Sequence, residues 1–340
     1  MRAPGFWQQR NPGLPARLAM ALLAPVAAIY GGVTARRMAR PGGHAGIPVI
    51  CVGNFVAGGA GKTPTALSIA AHLARRGLRP AFVSRGYGGA LSGHNSVTRI
   101  DTAVHDARLA GDEPLLLAAS AATFVARDRL AGALAAAQAG ADVIILDDGL
   151  QNPALHKDLV LAVVDGAVGV GNGRVVPAGP LRAPLPAQWP SVHAVVVIGP
   201  GEAGDAIARE AQARGKPVLR AALRPDADVA AHLAGRRVLA LAGIGRPEKF
   251  VASLQEVGAE VVDLAAFGDH HPYSVADLAP LAARAAREGL ALVTTAKDAA
   301  RMAGDPGLAP MLAQMTVLPV TLAFADDAAL DVLLAGVLGG

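Results

Sequence analysis

Hydrophobic positions along the chain fall into three patterns. The first is a charge-free run from Leu18 to Ala35. As a helix rising 1.5 Å per residue it would reach about 27 Å, just short of a bilayer's hydrocarbon core, and Pro25 and Gly31-Gly32 weaken it further. The second is a series of short, mostly apolar runs: Ile47–Val52, Arg79–Ser84, Val143–Leu146, Leu159–Val164 and Val192–Ile198. Runs this short, bounded by Gly, Pro and Asp, predict strands buried on both faces. The third is alanine-rich and helical in period, as from Pro64 to Arg76, from Gly111 through Ala122, and after Arg129. Alternation of the second and third patterns predicts βα units and a parallel sheet. Val218 to Pro225 reads as a connector. Beyond it lies a second α/β unit with strands near 237–243, 260–264, 290–295 and 315–324.

The turns between these elements carry the candidate chemistry. After the run Ile47–Val52 comes Gly58-Gly59-Ala60-Gly61-Lys62-Thr63, followed by a helical segment. Strand, glycine loop and helix form the context of a phosphate-binding loop. Its N–H groups and the helix start face an anion, Lys62 adds a full charge, and Thr63 offers a hydroxyl suited to Mg²⁺. The usual pattern places a glycine where this chain has Val56. Asp147-Asp148 end another buried run, where a nucleotide enzyme holds a carboxylate for its metal. Arg85, in Arg85-Gly86-Tyr87-Gly88, follows a strand and can fork an anion. Asp112 opens an apolar helix, where an N-cap role and a catalytic role fit equally well. In Phe267-Gly268-Asp269-His270-His271-Pro272-Tyr273, the adjacent histidines suit acid–base work or a surface turn better than shared metal ligation.

The fold class is therefore α/β: a P-loop-containing doubly wound parallel sheet, a second, smaller α/β domain, and an N-terminal hydrophobic membrane-associated helix. The expected boundaries are 1–44, 45–217 and 218–340. Over 340 residues, 52% are hydrophobic and 17% charged, which is a core-forming rather than a disordered composition. The net charge of +4 suits an anionic partner, but no dense basic stripe argues for nucleic acid. Cys51 is the single cysteine, which excludes an internal disulfide, and its apolar run makes it a core residue. Arginines flank the N-terminal segment on both sides, Arg10 and Arg17 before it, Arg36, Arg37 and Arg40 after it. An interfacial anchor accounts for these flanks better than a core helix does. An export signal would part a nucleotide loop from cytosolic ATP.

Taken in order, these motifs resemble those of the tetraacyldisaccharide 4'-kinase family, the lipid A 4'-kinases of Gram-negative bacteria. The resemblance rests on Val52-Gly53-Asn54 with Gly58–Pro64, Ser84–Gly88, Gly111–Pro114, Asp147–Gln151, Pro177–Arg182, Phe267–His271 and Lys297-Asp298. It accounts for Val56, since the family's loop is similarly non-standard there. It implies γ-phosphoryl transfer from ATP, with Mg²⁺, to the 4'-hydroxyl of tetraacyldisaccharide 1-phosphate (lipid A disaccharide 1-phosphate), forming lipid IVA. By the same resemblance Lys62 and the amides of Gly58, Gly59, Ala60, Gly61 and Thr63 hold the phosphates. Thr63 with Asp147 or Asp148 holds Mg²⁺, and Asp112 is the general base. His270, or its neighbour His271, partners Asp112. Arg85, Tyr87 and Gln151 surround the acceptor sugar, with Arg182 a further candidate. The implied location is the cytoplasmic face of the bacterial inner membrane, peripheral or monotopic, with no nucleic acid and no obligatory protein partner. Asn152, Ala183 and Ala296 stand where the family more often has His, Glu and Glu. The alternative reading is a P-loop regulatory ATPase or GTPase at the membrane surface. A guanine-reading Asn-Lys-x-Asp is its expected mark, and Thr295-Ala296-Lys297-Asp298 lacks that spacing.

Overall fold

The computed structural model describes residues 4–9 and 12–339; Arg10 lies outside the described residues. Two compact units are present, and neither is one continuous stretch of chain. Among the described residues, the larger takes those up to 84 together with 128–223 and 322–339; the smaller takes 85–127 and 224–321.

The larger unit is built on a parallel sheet ordered Val218–Pro225, Ala194–Ile198, Leu159–Asp165, Val49–Gly53, Val143–Asp147 and Pro80–Ser84, with Val320–Phe324 outside the first of these. Val49–Gly53, Val143–Asp147, Leu159–Asp165 and Ala194–Ile198 are buried throughout, as their unbroken apolar runs predict. Cys51 lies fully inside, and burial pushes its thiol up to about 12, so it is an inert core residue. The strand Val49–Gly53 sits between Leu159–Asp165 and Val143–Asp147, so later strands are added on both of its sides. Ligands of open α/β sheets bind at the carboxyl ends of strands at such a switch point. The register pairs Val52 with Asp147, which brings the glycine loop and the Asp-Asp turn to one level at that edge.

The smaller unit has a parallel sheet ordered Glu260–Ala266, Arg237–Ala242, Ala291–Thr295 and Thr316–Leu318. Helices Pro247–Glu256, Val275–Glu288 and Ala296–Ala303 belong to it. Its core clusters gather Leu239, Leu241, Leu278 and Met302 on one side and Val238, Ala240, Phe250 and Leu254 on the other.

Several expected elements differ. Val218–Pro225 is a strand, not a connector; its mixed burial hid it. The helix expected from Gly111 through Ala122 is Asp112–Ala118, and Ala122–Val125 is a strand. The strand expected over 315–324 is two, Thr316–Leu318 and Val320–Phe324, parted at Pro319 and belonging to different sheets. Pro25 and Gly31-Gly32 do not interrupt the N-terminal helix, which runs from Leu14 to Met38. At 25 residues it is about 37 Å long, enough to match a bilayer core. Pro25 faces outward, and Gly31 faces inward, where an added Cβ would lie 3.2 Å from Pro184. Leu14, Leu18, Leu22, Val26, Ile29 and Val33 remain exposed, Leu22 by 82%.

Ile145, fully buried in Val143–Asp147, tests the central sheet. Ile145→Ala is expected to cost about 2–5 kcal/mol, seen as a lower urea midpoint with near-unchanged slope. An unmoved midpoint would show that this strand does not carry the unit's cooperative core.

Candidate active site

In the larger unit the P-loop grows directly out of strand Val49–Gly53. Helix Lys62–Arg75 begins at Gly61, whose φ of 94° is left-handed; a Cβ there would also lie 2.5 Å from Ile198. Asn54, fully buried, donates to the Gly58 carbonyl at 3.2 Å and sets the loop's entry. Gly58, at φ 117°, supplies another turn that an L side chain resists, while Gly59 and Ala60 complete the bend. Val56 has its own explanation: it bridges Leu181, and its neighbour Ala57 donates to the Pro180 carbonyl at 2.7 Å. The chain here is held extended by the segment 180–182, so no glycine is required.

Lys62 is 9% exposed; its Nζ lies 3.5 Å from the Gly58 carbonyl and 3.8 Å from Asp148 Oδ2. Thr63 follows in the helix's first turn. Arg182 donates to both oxygens of Asp148, Nη1 to Oδ1 at 2.7 Å and Nη2 to Oδ2 at 2.8 Å, and its Nε donates to the Val56 carbonyl. Burial raises the Asp148 pKa, but Lys62 and Arg182 outweigh it and hold the carboxyl below its usual range. Asp148 adopts φ 58°, a strained position for a side chain other than glycine. Asp147, 2% exposed, ends the strand. Gln151 donates to the Asn54 carbonyl and to Gln188, both at 2.8 Å, and so braces the loop. Asn152 bonds locally, accepting from the Ala154 N–H at 2.9 Å.

The smaller unit holds a second cluster. Gly111, not Asp112, is the N-cap of helix Asp112–Ala118. Its φ is 87°, and a Cβ on it would stand 2.6 Å from the Tyr87 carbonyl. That close approach brings the loop carrying Arg85 and Tyr87 against the start of the helix. Asp112 is 3% exposed and lies 3.2 Å from His270 Nδ1 through its Oδ2. Tyr87 packs edge-on against the His270 ring at 5.5 Å, and Arg85 and Tyr87 are exposed. His270, like Asp148, is a non-glycine residue at positive φ, 58°. His271 turns elsewhere: it meets Asp277 at 3.3 Å and packs on Phe267 and Tyr273.

The sequence reading missed what stands behind Asp112. Thr295 caps helix Ala296–Ala303, and its Oγ1 exchanges hydrogen bonds with Asp298. Lys297 and Arg301, four positions apart on that helix, both reach Asp112, at 3.8 and 2.6 Å. Burial raises the Asp112 pKa; the His270 hydrogen bond, Lys297 and Arg301 overcome it and hold the carboxyl well below the usual carboxylate range. An i, i+4 basic pair behind a Thr cap was the available signal.

Among the described residues no three His, Cys, Asp or Glu side chains group as a metal site. Thr63, Asp147 and Asp148 offer hard oxygen donors of the kind Mg²⁺ takes, to be completed by phosphate oxygens and water.

Comparison with known proteins supplies the family. The sequence profile described as Tetraacyldisaccharide-1-P 4'-kinase matches residues 19–338. A tetraacyldisaccharide 4'-kinase of Methylobacterium nodulans is 58% identical over 97% of this chain and 94% of its own length. That of Bradyrhizobium sp. (strain BTAi1) is 50% identical over 98% and 95%. The crystal structure of the "apo" form of LpxK from Aquifex aeolicus in complex with ATP shares the fold, with a TM-score of 0.71 and 24% identity over 94% of this chain and all of that one. Profile and relatives span nearly the whole sequence, and the chain belongs to the tetraacyldisaccharide-1-P 4'-kinase family.

Proposed function

We propose that this kinase transfers the γ-phosphoryl group of ATP to the 4'-hydroxyl of tetraacyldisaccharide 1-phosphate. The observation that carries this reading is the left-handed Gly61 opening the Lys62–Arg75 helix with Lys62 beside the Asp148 carboxylate, in a chain of this family. Lys62 and the amides from Gly58 to Thr63 bind the β- and γ-phosphate oxygens. Thr63 with Asp147 or Asp148 would hold Mg²⁺, which when bound neutralises charge on the transferring group. Asp148 is already engaged on both oxygens by Arg182, which favours Asp147 as the direct ligand.

Asp112 is the general base in this reading: it takes the proton of the attacking hydroxyl while His270 Nδ1 steadies its Oδ2. The 3.2 Å pairing favours His270 over His271 for this part. Arg85 and Tyr87, exposed beside His270, contact the acceptor sugar and its phosphate. Gln151 is assigned to the acceptor side as well, with its amide tied to Asn54 and Gln188. The exposed apolar row of helix Leu14–Met38 serves as a peripheral or monotopic anchor on the cytoplasmic face of the inner membrane, where a lipid substrate resides. No protein partner is required.

Purified protein, ³²P-labelled ATP, Mg²⁺ and tetraacyldisaccharide 1-phosphate are expected to give labelled product, and Lys62→Ala to lose it. Transfer unchanged in Lys62→Ala would overturn the assignment of the loop. Asp112→Ala is expected to lose turnover by about 10²–10⁴-fold with ATP affinity nearly unchanged; equal losses of both would reject the base role.

The anchor is testable separately. Leu22→Glu with Ile29→Glu, both on the exposed row, is expected to leave the melting temperature near wild type and to cut co-flotation with phosphatidylglycerol vesicles several-fold. Undiminished flotation would exclude this face as the membrane contact.

A further inference from the structure

Arg301 is 6% exposed and is fixed from behind before it reaches Asp112. Its Nη1 donates to the Gly243 carbonyl at 2.6 Å and to Asp298 Oδ1 at 2.7 Å. Asp298 is itself fully buried and accepts from the Tyr273 hydroxyl at 2.8 Å, the Thr295 hydroxyl at 2.6 Å and the Gly243 N–H at 3.0 Å. The other side of the guanidinium is thereby presented rigidly. Nε donates to Asp112 Oδ2 at 2.8 Å; Nη2 comes within 2.6 Å of the same oxygen, out of hydrogen-bond alignment, and adds charge. His270 Nδ1 and Lys297 Nζ approach Oδ2 as well, at 3.2 and 3.8 Å. The other oxygen, Oδ1, accepts the Glu113 N–H at 3.0 Å.

We propose that Arg301, anchored by Asp298 and Tyr273, is a positioning residue for phosphoryl transfer: it pins Asp112 by Oδ2 and leaves Oδ1 as the atom that receives the acceptor's proton. The inference rests on the reading of Asp112 as base. Lys297 is a poorer candidate for the same part. It is more exposed, farther from Asp112, and pairs first with Glu113 at 3.0 Å. A planar guanidinium can bind Asp298 and Asp112 at once in one plane, which a lysine ammonium cannot reproduce.

Removing Arg301 leaves two buried carboxylates, Asp112 and Asp298, short of a cation, so loss of folding must be told apart from loss of positioning. The groups facing Asp112 are His270, Lys297, Arg301 and Glu113, with Asp269 beside His270 and Arg301. With Arg301 gone, burial regains weight and the Asp112 pKa rises, so a higher pH is needed to keep it ionised.

The test uses full-length Arg301→Ala, Arg301→Lys and Asp112→Asn enzymes. Arg301→Ala is expected to lose about 10²-fold in kcat with KM for ATP within threefold, and its acidic limb is expected to move to higher pH than wild type. Added methylguanidinium restores a tenfold or larger part of the loss, and Arg301→Lys keeps the wild-type limb while recovering kcat only in part. The proposal is overturned if the Arg301→Ala kcat stays within threefold of wild type. It is equally overturned if the limb is unmoved and neither guanidinium nor lysine relieves the loss. Near-wild-type turnover by Asp112→Asn would remove the base reading itself, whereas an inactive Asp112→Asn beside a fully active Arg301→Ala removes the positioning role alone.

Discussion

A carboxylate wholly or partly taken out of water must be given cations or hydrogen-bond donors, and both clusters in this chain are organised by that requirement. Asp148 has Lys62 and the two-pronged Arg182; Asp112 has Arg301, Lys297 and His270. In each case the cation comes from a segment remote in sequence. The partner also reaches back to a backbone carbonyl, Val56 for Arg182 and Gly243 for Arg301. The carboxylates are thus fixed to backbone elements through their arginines, and rotation of either acid would strand a charge. Precision at the site follows from the cost of that alternative.

The same requirement explains the two non-glycine residues at positive φ among the described residues. Asp148 and His270 hold a backbone conformation that costs on the order of 1 kcal/mol or more, and each is bound there by a charged partner. Strain at these two positions is local and is compensated by the pairing it permits. The P-loop achieves its curvature by the opposite route, with glycines at 58 and 61 where no side-chain partner is needed.

How much of this was legible in the sequence depended on the range of the interaction. Buried strands were readable because being covered on both faces leaves a run without polar positions, as over Val143 to Leu146. The P-loop was readable because its chemistry lies in consecutive residues. The strand Val218–Pro225 was missed because its mixed burial has no single period. The N-terminal helix was longer than its charge-free core, since Arg17, Arg36 and Arg37 sit on it as exposed turns. Motifs by themselves gave Asp112 and His270 as candidates; that Asp298, Tyr273 and Arg301 support Asp112 from 160 or more residues away follows only from packing. Nor does linear order reveal that residues 85–127 fold with 224–321.

With Asp112 as the proposed base, a carboxylate held so firmly ionised raises a question of mechanism, because proton affinity and catalytic reach pull in opposite directions. Cations around Asp112 lower its affinity for a proton and so its thermodynamic strength as a base. In phosphoryl transfer that loss is tolerable. The transition state is largely dissociative, the attacking hydroxyl becomes acidic only as its bond to phosphorus forms, and little proton transfer is needed before that point. What the reaction needs early is a correctly aimed acceptor that is always deprotonated. A carboxylate fixed at Oδ2 and ionised throughout the neutral range provides that, with no equilibrium between competent and incompetent protonation states. Weak basicity is then the cost of constant readiness, and His270, Lys297 and Arg301 set that exchange together.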